Sequence, residues 1–304
     1  MNLTTALLRL LVFPGLLFAV PAAWFFLWAE RKALAVMQQR IGPPFMQPFF
    51  DFMKLMGKEV PPRTGLSGFL MKLWPILSVA AAAGAVGLLP VIPRSSGFAG
   101  DLILLLSLLE LPSMFIIAAG FSSRSLWGEI GSSREAVMSV SYNVLFLMAV
   151  VGIAASQHTF SLAALAQSPI TPLRWLGVLA ILVCLPAKLH INPFSITNAE
   201  QEIYAGPMTE YAGPELALWE LAHGLEWVAA TGLVATLIAP QVGNVWLAAI
   251  LFVALSCAVV LLLSVVAAST ARLTIDSSVR FYWQCALVFA VLGVSSVLLM
   301  RIKL

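Results

Sequence analysis

The feature that most constrains this chain is a series of eight apolar runs, each long enough to cross a lipid bilayer as a helix. About 20 apolar residues span the hydrocarbon core, where a helix satisfies its own backbone hydrogen bonds. With 61% hydrophobic and 10% charged residues, the composition agrees with this pattern. The sequence therefore predicts an all-α polytopic membrane protein with eight transmembrane helices in a single membrane domain, residues 1–304. The runs cover residues 6–29, 69–93, 102–121, 136–155, 172–189, 215–240, 244–268 and 281–300.

The basic residues predict how these spans are oriented. Of the 17 Lys and Arg residues, 12 fall in the loops that follow odd-numbered spans and 5 fall on the other side. Loops rich in Lys and Arg stay in the cytoplasm, according to the positive-inside rule. We therefore expect the odd-numbered loops in the cytoplasm and both termini outside it.

The first cytoplasmic loop contains the segment QPFFDFMKLMGKE, which predicts a short amphipathic helix. Its apolar face would hold Phe49, Phe52, Met53 and Met56, and its polar face Asp51, Lys54 and Lys58. The segment is too short to span a bilayer, so it is expected to lie at the membrane interface. A cationic polar face suits a simple membrane-surface helix and a docking site for a partner protein equally well.

Negative charge is concentrated in residues 192–227, which hold six of the 14 acidic residues. Ionised side chains at bilayer depth cost about 2.5–3.5 kcal/mol each, so they are retained where they face water, a partner or one another. Glu220, His223 and Glu226 are spaced to share one flank of the sixth span. The six acids are Glu200, Glu202, Glu210, Glu215, Glu220 and Glu226.

A protonatable ladder of this kind is typical of a proton path into the membrane. The alternative is that the acids only pair with Lys188 or an arginine and hold the helices together. An independent transporter would require an internal repeat or a pair of broken helices, and the sequence shows neither. A membrane anchor with inert charges is the remaining possibility.

The metal-binding residues are too few and too scattered to predict a cofactor in this chain. The three cysteines lie singly in apolar runs, and the three histidines are far apart in sequence. The Glu-x-x-His spacing of Glu220 and His223 also occurs in di-iron bundles, but such a site needs a second copy from another helix. Nucleotide-binding loops and hydrolase motifs are missing from the sequence. The chain is therefore expected to be a non-catalytic subunit that binds no metal and no nucleic acid.

Four sequence blocks stand out in the predicted cytoplasmic loops. They are ERKALAVMQQRIGPP (Glu30–Pro44), GSSREA (Gly131–Ala136), NPFSITNAEQEIYAGPMTEYAGP (Asn192–Pro214) and ARLTIDSSVR (Ala271–Arg280). Together they resemble one family, the membrane subunit that seats the peripheral arm of respiratory complex I (NADH dehydrogenase subunit 1) and its relatives in energy-converting [NiFe] hydrogenases.

The short first loop resembles the hydrogenase branch of this family, with Gln47, Asp51 and Lys54 in the matching places. The resemblance implies a coupling subunit in the inner membrane of a prokaryote, driven by formate or carbon monoxide oxidation. The alternative within the family is the quinone-site membrane subunit of a complex I-like oxidoreductase. In both cases the NiFe centre or iron–sulfur clusters would belong to partner subunits.

The resemblance also implies partners and roles for individual residues. The expected partners are soluble subunits of the hydrogenase large and small type, an iron–sulfur subunit, an antiporter-like membrane subunit that moves H⁺ or Na⁺, and the lipid bilayer. The docking surface would comprise Arg31, Arg40, Asp51, Lys54, Arg134, Arg272, Asp276 and Arg280. By the matching motif, Glu200, Glu202 and Glu210 belong to the acidic loop of the family. The predicted relay joins them to residues chosen from the sequence itself, namely Glu215, Glu220, His223 and Glu226, and to Glu110, which lies outside the family pattern.

The chain departs from the family pattern at four charged positions. Asn143, Ser195 and Asn198 stand where acids are usual, and Thr274 stands where a base is usual. Glu110 is an acid in the middle of the third span, and Pro112 just beyond it can bend that helix. One hypothesis is that Glu110 replaces the acid missing at Asn143, with its carboxyl facing Asn143 and the sixth span. The alternative is that Glu110 is neutral, forms a hydrogen bond to a neighbouring helix and has no part in the relay.

Overall fold

The computed structural model describes residues 16–90, 99–169, 171–197, 206–239 and 244–302, and every regular element in these ranges is helical. The all-α class predicted from the sequence is therefore confirmed for this part of the chain. The helices are α1 (Leu16–Met37), α2 (Gln47–Met56), α3 (Gly65–Leu88), α4 (Asp101–Ser123), α5 (Leu126–Ser156), α6 (Leu162–Gln167), α7 (Pro172–Lys188), α8 (Gly213–Ile238), α9 (Val245–Ser269) and α10 (Ile275–Ile302), with a 3-10 turn at Gly206–Glu210 before α8.

Five of the described helices, α3, α4, α5, α8 and α9, are long and apolar enough to cross a membrane. Each coincides with one of the predicted spans. The other three predicted spans correspond to α1, α7 and α10. The count of eight spans remains a prediction for these three.

Helix α8 lies at the centre of the bundle, packed against α1, α3, α7 and α9. Small side chains let its neighbours approach closely. At Gly224, for example, a Cβ atom would meet Ala23 and Leu27 of α1 at 3.0 Å. Most of α8 is buried as a result. Of the five apolar helices long enough to cross a membrane, the one that carries the predicted acid ladder is therefore also the one most enclosed by protein.

A second close contact joins α5 to the turn that precedes α8. A Cβ atom on Gly131 would lie 2.5 Å from Pro207 Cδ and 2.8 Å from the Cα of Gly206. Glycine is therefore needed at position 131 for the 3-10 turn to rest on α5. This contact brings the GSSREA block beside the end of the acidic loop, which we define as residues 192–212 between α7 and α8.

Helix α2 forms where the sequence predicts a short helix, but its faces differ from the prediction. Phe49 and Phe52 pack on Trp24 of α1, with ring centroids 5.2 and 5.8 Å away, whereas Met53 is exposed. Asp51 does not share an outward face with Lys54, because its carboxylate turns toward α1. The placement of α2 at a membrane interface remains a prediction.

Candidate functional site

Polar side chains from α4, α5, α7 and α8 meet in the interior, together with the loop that follows α7. We call this group the polar cluster. It holds three carboxylates, one cation and two imidazoles, and it is enclosed by apolar side chains of the main core. Its members are Glu110, Glu135, Asn143, Lys188, His190, Thr197, His223 and Glu226.

The first part of the polar cluster is an ion pair between α4 and α7. Lys188 Nζ donates to Glu110 Oε1 at 2.8 Å, and Asn143 Nδ2 of α5 donates to Glu110 Oε2 at 2.7 Å. The Lys188 side chain is fully buried and that of Glu110 is 16% exposed. The carboxyl of Glu110 thus faces Asn143 as expected from the sequence, and Lys188 pairs with this acid of α4 and not with an acid of α8.

The second part joins α5 to the loop after α7. The Thr197 hydroxyl donates to Glu135 Oε2 at 2.9 Å, and His190 Nδ1 lies 3.4 Å from the same oxygen and 3.2 Å from the Thr197 hydroxyl. Because Thr197 already donates to the carboxylate, its oxygen can accept from His190 Nδ1. Burial lowers the pKa of His190 to about 4, and nearby His223 adds to this effect. The imidazole is therefore neutral at pH 7, with its proton on Nδ1.

The third part lies on α8. The indole N–H of Trp227 donates to His223 Nε2 at 3.2 Å, so the neutral His223 ring carries its proton on Nδ1. That nitrogen lies 3.9 Å from Glu226 Oε2. The rings of His190 and His223 are neighbours, with centroids 6.1 Å apart and planes tilted by 39°. The Glu135–His190 and Glu226–His223 pairs thus lie next to each other at their imidazoles.

The acids nearer the start of α8 have other partners. Arg63 pairs with the carboxylate of Glu215 and donates to the backbone carbonyl of Glu210, while its guanidinium lies over the ring of Tyr211. These contacts fix the end of the first loop to the start of α8. Glu215 therefore has a structural ion pair, in addition to the relay role predicted for it.

Glu220 points away from the polar cluster, toward α1 and α2. It lines a cavity of about 10 Å³ together with Trp24, Arg31 and Phe52. Arg31 in turn contacts Asp51 at 3.3 Å, and Gln47 donates to Asp51 at 2.8 Å. Glu220 and Glu226 thus lie on two different sides of α8. The predicted ladder is therefore divided: Glu220 lies against α1 and α2, and Glu226 belongs to the polar cluster with His223.

The remaining predicted site residues lie at the surface or outside the described ranges. Glu200, Glu202 and Asn198 fall outside the described residues. Four predicted docking residues are exposed, namely Arg40, Lys54, Asp276 and Arg280, and two are partly buried, namely Arg134 and Arg272.

Sequence reasoning did not select Glu135 and His190 as site residues. Glu135 lies within the GSSREA block, but only its neighbour Arg134 was singled out. One signal was available: Ser132, Glu135, Ser139 and Tyr142 recur at helical spacing, and all four are buried in α5. A polar stripe within an otherwise apolar span indicates a face turned toward other polar groups.

The chemistry available to the polar cluster is proton and charge transfer. Glu135 Oε1, His190 Nε2 and Glu226 Oε1 are buried and lack a hydrogen-bond partner among the described residues. Such atoms are ready acceptors for a proton or a water molecule. Among the residues that the structure describes, no group of three or more His, Cys, Asp or Glu is arranged to hold a metal ion.

Comparisons with known proteins agree with one another. The model of the NADH dehydrogenase family matches residues 10–298. Hydrogenase-4 component C of Escherichia coli strain K12 is 34% identical over 224 residues, which are 69% of this chain and 69% of that protein. A chain in the structure of the membrane-bound sulfane sulfur reductase, an archaeal respiratory membrane complex, is similar with a TM-score of 0.85. It is 28% identical, and the match covers 95% of this chain and 98% of that one.

Proposed function

The chain belongs to the NADH dehydrogenase family of complex I-like membrane subunits, and on this basis we propose that it is the anchoring and coupling subunit of an energy-converting [NiFe] hydrogenase. Its exposed cytoplasmic loops would seat the soluble redox subunits. Its polar cluster would relay charge from that seat to ion-pumping membrane subunits. The chain itself would carry no redox centre.

The observation that carries this proposal is the buried Lys188–Glu110–Asn143 contact beside two acid–histidine pairs. Buried charges in a membrane protein cost free energy, so a group of this size is expected where charge or protons move. The two similar proteins described above are a component of a hydrogenase and a chain of a respiratory membrane complex. This similarity supports the proposal that the chain is part of a multi-subunit assembly and is not a transporter that works alone.

The hydrogenase branch is favoured by the short first loop, in which Gln47, Asp51 and Lys54 stand in the places that match this branch. In the structure Gln47 donates to Asp51 at 2.8 Å, and Asp51 pairs with Arg31 of α1 at 3.3 Å.

Purification of the complex through a tag on this chain tests the proposal. We expect soluble subunits to co-purify and the preparation to contain nickel as well as iron. Reversing two exposed docking charges, with Arg40→Glu and Lys54→Glu, should release the soluble subunits, whereas the charge-preserving pair Arg40→Lys and Lys54→Arg should retain them. Iron without nickel, together with quinone reduction, would point to the complex I-like alternative. A chain that purifies alone and moves ions by itself would contradict both.

A further inference from the structure

Two carboxylates of the polar cluster, Glu135 on α5 and Glu226 on α8, each have an imidazole at their side. His190 Nδ1 lies 3.4 Å from Glu135, and His223 Nδ1 lies 3.9 Å from Glu226. The two rings are tilted by 39° and their centroids are 6.1 Å apart. Two hydrogen bonds through one water cover about 5–6 Å between nitrogen atoms, which is the scale of this ring separation. The two acids are thus connected through imidazoles and not through each other.

From this geometry we infer that His190 and His223 form a two-histidine bridge that passes a proton between Glu226 and Glu135. The inference rests on the coupling role proposed above, and it adds the specific link between two helices of the relay. Lys188 serves the bridge indirectly, because its charge lies within electrostatic range of both carboxylates.

His190 has the geometry that the bridge requires. Its Nδ1 proton faces Thr197 and Glu135, while its Nε2 is buried and has no partner among the described residues. Imidazole can accept a proton on one nitrogen while it releases the other proton from the second nitrogen. A buried neutral ring can therefore conduct a proton without holding a lasting charge.

Because Trp227 holds His223 with its proton on Nδ1, the ring has to be primed first. Once the indole hydrogen bond breaks, Nε2 gains a proton from the exposed side of the ring, and the Nδ1 proton passes to the carboxylate of Glu226. In the transfer itself, the O–H bond of Glu226 breaks and an N–H bond forms at His223 Nδ1, while the Nε2 proton of His223 passes through one water to Nε2 of His190. The Nδ1 proton of His190 then moves to Glu135 Oε2. One proton has moved from the exposed side of His223 to Glu135; His223 is again the Nδ1–H tautomer, and His190 ends as the Nε2–H tautomer.

Trp227 controls which tautomer His223 adopts. Its N–H donates to His223 Nε2, so the indole holds the ring with its proton on Nδ1. For a proton to leave from Nε2, this hydrogen bond has to break. His223 is also the more open of the two rings, with its side chain 34% exposed. Glu30 and Glu220 lie within electrostatic range of it and provide acids on the side facing α1.

The test measures ion uptake and electron turnover together in sealed vesicles that contain the assembled complex. The variants are His190→Gln and His223→Gln, which remove the titratable ring and keep a polar side chain. Glu226→Gln reports on the relay itself. The control is His158→Gln, because His158 is exposed and lies outside the polar cluster. Both bridge variants should assemble and should lower the number of ions moved per electron about tenfold or more, while the control stays normal.

The possible outcomes separate the bridge from the proposed function. If Glu226→Gln uncouples the complex while both histidine variants pump normally, the bridge is wrong and the coupling role stands. If Glu226→Gln also pumps normally, the relay role fails and the bridge fails with it.

A second variant at position 190 keeps the test decisive if His190→Gln fails to fold. His190→Asn keeps an amide donor near Thr197 but cannot accept one proton while it releases another, so pumping at the normal ratio would show that a hydrogen bond is sufficient and would overturn the bridge. If neither variant at position 190 assembles, His223→Gln decides alone, since that ring is partly exposed.

Discussion

Lys188 is a fully buried cation whose direct carboxylate partner is Glu110 of α4. Its Nζ also lies 5.7 Å above the ring of Tyr142 and 5.9 Å above that of Phe146, which favours the charged form. An ion pair in this setting stabilises the fold little compared with apolar side chains, but removing one partner leaves the other charge uncompensated. The pair therefore holds α4 and α7 together at the cost of keeping two charges inside the protein.

This arrangement predicts a specific pattern of stability changes. Lys188→Met should destabilise the protein by about 3–5 kcal/mol, because the carboxylate of Glu110 must then remain unpaired or take up a proton. Adding Glu110→Gln to Lys188→Met should recover at least half of that loss. Thermal unfolding of the purified complex measures both effects, with the exposed Lys72→Met as the matched control. If the double variant is as unstable as Lys188→Met alone, Lys188 and Glu110 are not a coupled pair.

At the scale of elements, the polar cluster depends on how closely α5 approaches the 3-10 turn before α8. Gly131 has no side chain, and the turn occupies the space where a Cβ atom would lie. Because the same turn leads directly into α8, its position also sets that of Glu215 and the acids that follow. A side chain at position 131 is thus expected to displace the turn and, with it, the acidic loop.

Gly131→Ala should therefore destabilise the protein by about 1–3 kcal/mol through overpacking against Pro207. Gly87→Ala is the control, because a Cβ atom at that helical glycine meets nothing within 4 Å; it should be neutral or stabilising by up to about 1 kcal/mol. Limited proteolysis of the acidic loop in native membranes compares the two variants. Equal resistance in both would show that the turn does not depend on its contact with α5.

The helices could be predicted from the sequence, whereas most contacts between them could not. The length and composition of an apolar run can be read directly from the sequence. The sequence therefore predicts the ends of α3, α4, α5, α8 and α9 to within about ten residues. The pairing of Glu135 with Thr197 joins residues 62 positions apart, and it depends on how α5 packs against the loop after α7. Only the Glu110–Asn143 contact was expected, because a missing acid at one position suggested its replacement from a neighbouring helix.

At the scale of the whole molecule, the predicted docking residues and the polar cluster lie apart. Arg40 and Lys54 are exposed and lie in the segment between α1 and α3, whereas most of the polar cluster is buried among α4, α5, α7 and α8. If soluble partners dock as proposed, their effect is expected to reach Glu110 through the buried groups described above. The central claim of this account is that these groups move charge and do more than hold helices together.

Glu110 gives the most direct test of that claim, because it lies inside the protein, away from the docking surface. Ion uptake and electron turnover should be measured together in sealed vesicles for the wild type, for Glu110→Gln and for Glu110→Gln combined with Asn143→Glu. The account predicts an assembled complex in which Glu110→Gln lowers the number of ions moved per electron about tenfold. Asn143→Glu should restore part of this loss, since its carboxylate would occupy the neighbouring position. Normal pumping by Glu110→Gln would contradict the account and leave the Lys188–Glu110 pair with a purely structural role.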